Sequence, residues 1–142
     1  MNDTISKMLK EMHERDQKER RELIKNYGSK LSEAKNKIPF YVFKGACEER
    51  TEVVLNLINN NVLKEPDDFY YAACIIVNIE SKENLVTAYR LIKEYRRLGG
   101  QKLWGFKENY FTIQNWGKTK EEMEKEIEKE IGIHPKDLDK WE

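Results

Sequence analysis

The sequence predicts an all-α fold, a single-domain helical bundle gathered around one buried central helix, and three observations lead there. The first is the run Asp67 to Ile79, where apolar residues crowd together as nowhere else in a highly charged chain. At about 100° per residue, Phe69, Ala73, Ile76 and Val77 fall on one side and Ala72, Ile75 and Ile79 on the adjoining one, leaving almost no arc for water. Only a narrow strip of Asp67, Tyr71, Cys74 and Asn78 turns polar atoms toward the neighbours. The second observation is that apolar residues on either side of this run recur at spacings of three and four, the period of amphipathic helices. The third is length: 142 residues suit one domain and suffice to bury a core without staples. We therefore expect one domain over 1–142, with 118–142 as a charged helix and tail.

The first helix is expected over Thr4 to Tyr27, capped by Asp3 or Thr4, with Ile5, Met8, Leu9, Met12, Leu23, Ile24 and Tyr27 as its stripe. Its middle breaks the pattern. Asp16 lies within about 20° of the stripe centre, with Glu19 about 40° to one side and Arg20 about 60° to the other. Either these turns overshoot the core, or a carboxylate and a guanidinium are buried there and need partners elsewhere, since an unpaired buried charge is costly. Gly28 and Ser29 end the helix, and 29–37 suits a short helical piece.

The residues Ile38-Pro39-Phe40-Tyr41-Val42-Phe43 are β-branched and aromatic after a proline, which predicts an extended segment laid across the helices, with a small sheet as the alternative. Gly45 then releases the chain into a helix from Ala46 to Asn60, with Ala46, Val53, Val54, Leu57 and Ile58 as its stripe. Arg50 sits on that stripe beside Glu49. Pro66 suits the first turn of the central helix, with Asp67 and Asp68 at its positive end.

Ser81 starts the next helix, with Asn84 as a capping partner. Leu85, Ala88, Tyr89, Ile92 and Tyr95 form its apolar face, and Arg90, Lys93, Glu94, Arg96 and Arg97 its wet side, up to Gly99-Gly100. The aromatic segment 103–116 has a poor period. Burial in the core is the favoured reading of its tryptophans, with Trp104, Tyr110 and Trp116 the candidates for a protein interface if exposed. Thr119-Lys120-Glu121-Glu122 is a capping box opening the last helix, whose thin stripe is Met123, Ile127 and Ile131.

Composition excludes several function classes. Lysine plus arginine number 26 and aspartate plus glutamate also 26, so the positive excess expected of a nucleic-acid binder is missing. Charged residues make up 37% of the chain, yet they collect on helix faces, which argues for a folded protein. Met1 to Lys10 lacks the apolar core of a signal peptide and no segment has the length of a membrane span, so a cytoplasmic location without a membrane partner is expected. Cys47 and Cys74 read as small buried hydrophobes, and two cysteines with two histidines at wide spacing make no metal site, so neither metal nor cofactor is expected.

Polar groups on inward faces nominate a polar centre of Asp16, Gln17, Arg20, Arg50, Asp68, Tyr71 and Asn78. In this order they resemble an uncharacterised bacterial family, domain of unknown function 6624. Asp16, Gln17 and Arg20 match its Asp-Gln-x-x-Arg element, and Arg50 with Cys47 or Glu49 its acidic-x-x-Arg element. Asp68, Tyr70, Tyr71, Ala72 and Ala73 match its Asp-Tyr-Tyr-x-Ala-Ala helix. The resemblance spans roughly Lys10 to Gly117. Where the family has Gln-His this chain has Val77-Asn78, so the side chain best suited to proton transfer near neutrality is missing. The resemblance implies a fold and no activity.

Two functions compete. One is a small cytosolic interaction protein binding a protein partner, as immunity proteins, antitoxins and phage counter-defence proteins do. The alternative is a pocket for a small molecule or nucleotide, as a binder or degenerate enzyme, with the arginines gripping an anion and a carboxylate as base. Catalysis is the weaker expectation.

Overall fold

The computed structural model describes residues 2–27, 38–79, 81–102, 104, 120–135 and 137. Among them the chain forms five helices and no strand: α1 (Asn2–Tyr27), α2 (Ile38–Asn59), α3 (Pro66–Ile76), α4 (Lys82–Arg97) and α5 (Lys120–Ile131). The short, apolar α3 packs against α1, α2 and α4, and α5 lies on α4. Ala72, Ala73, Ile75 and Ile76 are buried at the centre, as a helix apolar on most sides must be. No helix among the described residues is long and apolar enough to cross a membrane.

The stripes meet in this core. Leu9 of α1, Val54 of α2, Leu85, Ala88, Tyr89, Ile92 and Tyr95 of α4, and Met123, Ile127 and Ile131 of α5 are all buried together with α3. A smaller cluster of Leu23, Phe43 and Cys47, with Ile79 against it, lies apart from the main core. Contacts fix the directions. Ser6 bonds Asp68 and Asp16 bonds Asn78, both across 62 residues, so α1 and α3 run parallel. Asp16 meets Arg50 while Leu23 clusters with Phe43, so α1 and α2 run antiparallel.

Pro66 and Ser81 open α3 and α4 as expected, but the Asn84 side chain turns to carbonyls of the preceding turn instead of closing a capping box on Ser81. Asp68 accepts the backbone N–H groups of Lys64 (3.1 Å) and Glu65 (3.0 Å). Ser81 Oγ accepts the N–H of Asn84 at 3.0 Å. The Asn84 amide reaches back to the carbonyls of Ile76 (3.4 Å) and Ile79 (3.1 Å), tying the start of α4 to the end of α3.

Three expectations are corrected. Residues 38–43 are neither extended nor a strand: they are the first turns of α2, which runs straight through Gly45. Pro39 fits an opening turn, and the strand preference of its β-branched neighbours yields to helical packing, with Phe43 buried against Leu23. Arg96 belongs to the buried side of α4, where its Nη1 donates to the Gly100 carbonyl at 3.1 Å. Val53 faces outward, leaving Val54 as the buried member of that pair.

Candidate functional site

Four of the seven nominated residues converge, one layer deep, between the two apolar clusters. Asp16 is 1% exposed and forms an ion pair with Arg50, whose other terminal nitrogen donates to Glu19 at 2.5 Å. Asn78, just beyond α3, donates to Asp16 Oδ2 at 2.5 Å and accepts from Arg20 Nη2 at 2.6 Å. The Cys47 thiol points at Asp16 Oδ1 at 4.0 Å. Arg20 also stacks over the Phe43 ring, 5.5 Å from its centroid. The charges on the α1 and α2 stripes are therefore there to meet each other.

Burial shapes the chemistry of this layer. It lowers the pKa of both guanidinium groups, which nonetheless stay charged over any pH at which proteins fold. It pushes the Cys47 thiol up to about 11, against the pull of the Arg20 charge, so this cysteine is a poor nucleophile. The carboxylate oxygens of Asp16 are taken up by Arg50, Asn78 and Cys47.

The other nominated residues lie elsewhere. Gln17, one position from Asp16, points to solvent because neighbours on a helix diverge by about 100°. Asp68 sits at the opposite end of α3, where it accepts the Ser6 hydroxyl at 2.6 Å in addition to its two backbone donors, and is occupied as a cap. Tyr71 belongs to an aromatic group with His13, Tyr70 and Tyr95. Its ring lies 5.1 Å from His13 and 5.8 Å from Tyr70, the two tyrosine planes crossing at 71°. The Lys102 ammonium lies over both tyrosines, 5.2 and 5.3 Å from their centroids, and 3.5 Å from Asp67. Partial burial is the largest single influence on Lys102 and works against its charge, but Asp67, Tyr71 and Tyr95 together outweigh it and raise its pKa. Burial, and then the Lys102 charge, lowers that of His13.

Trp104, nominated for an interface, is 8% exposed and packs edge-on against Tyr89 at 4.9 Å, so it belongs to the core. Tyr110 and Trp116 lie outside the described residues. The large apolar side chains exposed among the described residues are instead Tyr41 (60%), Val42 (67%) and Val53 (41%), all on α2. Sequence reasoning assigned the first two to an extended segment and the third to the core. The involvement of Lys102 has no sequence signal, since it follows Gly99-Gly100 in a stretch with no helical period.

An open depression of about 460 Å³ on the outer face of α1 is lined by Glu11, Glu14, Arg15, Lys18, Glu19 and Glu22. Among the described residues no group of three or more His, Cys, Asp or Glu side chains is placed to hold a metal ion. Compared with protein-family models, with curated proteins and with solved structures, the chain matches none.

Proposed function

We propose that this chain is an interaction module that binds a protein partner, of the kind represented by immunity proteins, antitoxins and phage counter-defence proteins, and that the outer face of α2 is the contact surface. The observation that carries the reading is the exposure of Tyr41, Val42 and Val53 on one helix. Val42 and Val53 are eleven residues apart, so they fall within about 20° of each other, three turns along one line. Exposed Glu48, Glu49 and Glu52 lie between them in sequence. The partner that complements this face presents apolar side chains among lysines and arginines. The polar centre supports the same reading, because Asp16 is spent on internal partners and offers little to a ligand. The motif likeness to domain of unknown function 6624 is part of this proposal and adds no activity to it.

The test is reconstitution. Proteins retained by the immobilised chain are identified, purified and titrated into it by calorimetry. The double variant Val42→Lys/Val53→Lys is expected to weaken binding by about tenfold or more, while Lys125→Glu on α5, which packs on α4, leaves it unchanged. Undiminished binding by the double variant, or failure of every purified candidate to bind the native chain, overturns the reading.

A further inference from the structure

The group around Tyr71 carries a second inference that uses none of the α2 face and stands or falls separately. Tyr70 and Tyr71 are successive residues on α3, and their rings meet as two walls of a corner, 5.8 Å between centroids and 71° between planes. A positive nitrogen, that of Lys102, sits nearly equidistant from the two faces at 5.2 and 5.3 Å, with the Asp67 carboxylate at 3.5 Å closing the third side. Ring faces carry negative potential, so two tyrosines and a carboxylate around one point are what recognises an organic cation, quaternary ammonium above all.

The occupant is built to leave. The Lys102 side chain is 51% exposed, and its ion-pair partner Asp67 is similarly open to water. Its backbone is held independently, the N–H donating to the Tyr95 hydroxyl at 2.8 Å. The four-carbon arm can thus swing into solvent while the chain stays anchored. The walls, by contrast, are packed: Tyr70 lies on the buried Tyr95 at 5.2 Å, and Tyr71 lies against His13 at 5.1 Å. We propose that Tyr70, Tyr71 and Asp67 form a binding site for a quaternary ammonium group, and that Lys102 is its built-in plug, a tethered cation that an incoming one must displace.

The probe is tetramethylammonium chloride titrated into the full chain, read from the Tyr70 and Tyr71 ring resonances, with sodium chloride at equal ionic strength and the neutral isostere tert-butyl alcohol as controls. Removing the plug by Lys102→Ala, or by Lys102→Met if alanine unsettles the loop, is expected to tighten binding by about tenfold or more, because the native site is free only while the arm is out. In the unplugged chain, Asp67→Asn or Tyr71→Leu weakens binding again and Tyr71→Phe retains it. The neutral isostere is not expected to saturate. If the folded, unplugged variants show no saturable shift of either ring, or respond equally to the neutral isostere, no cation site exists and Lys102 merely pins the loop to α3.

Discussion

At the scale of single residues, the decisive contact is Asp16 with Arg50. Both are buried; without Arg50 the Asp16 carboxylate loses its counter-ion away from water, and without Asp16 the guanidinium keeps only the part-exposed Glu19. Asp16→Ala is expected to cost about 3–5 kcal/mol in urea unfolding. Asp16→Leu combined with Arg50→Met should cost less than either single change, because no charge is then stranded; a double variant worse than the singles would contradict this. His13 supplies a pH dependence. Lys102, Glu14, Tyr70 and Tyr71 surround it, and burial followed by Lys102 lowers its pKa below the ordinary histidine value. Below about pH 6.5 the unfolded chain takes up a proton there before the native one does. The histidine's share of stability is thus complete above that pH and is lost as pH falls toward the lower, native pKa. The urea midpoint of His13→Gln should therefore fall less between neutral and mildly acidic pH than that of the native chain.

At the scale of elements, two glycines act in opposite directions. Gly45 lies inside α2, and a methyl group there would meet nothing within 4 Å. Gly45→Ala should stabilise the protein by about 0.5–1 kcal/mol, by helix propensity and a less flexible unfolded chain. Gly100 is buried after α4, and a methyl group there would run into the Tyr95 ring. Gly100→Ala should destabilise by about 1–3 kcal/mol as that ring is displaced. Thermal unfolding of the pair reads both signs at once. α2 is also where sequence reasoning failed, and for a physical cause. Its apolar residues lie on several sides rather than one stripe, so 38–43 read as strand and Gly45 as a break, whereas tertiary contacts of Phe43 and Cys47 hold the helix through both. The predicted face of α4 was legible residue by residue, but the helix packs on both α3 and α5, so Val86, Leu91 and Arg96 are buried beside that face, the Arg96 head turning back to the Gly100 carbonyl.

At the scale of the whole molecule, the layer of Asp16, Glu19, Arg20, Arg50 and Asn78 divides the bundle into a large core and a small one. Among the described residues only Ile79 packs against the small cluster of Leu23, Phe43 and Cys47, so that end should open without global unfolding. Native-state hydrogen exchange is expected to show the amides of 41–47 exchanging at lower free energy than those of α3 and α4. Uniform protection would show that the ends open as one. Four of the five members of this layer were nominated from sequence, because charges on an apolar stripe demand opposite charges nearby; Gln17, Asp68 and Tyr71 were added on wheel position and motif likeness, which locate a face but not a height along the axis. That layer also settles how the helices align. Greasy surfaces tolerate slippage by a turn with modest penalty, whereas sliding α1 one turn along α2 would carry Asp16 away from Arg50 and leave both among hydrocarbons. Five polar side chains thus act as a key cut for a single setting, and a chain with that key filed down to leucine and methionine should remain helical while sampling more than one alignment.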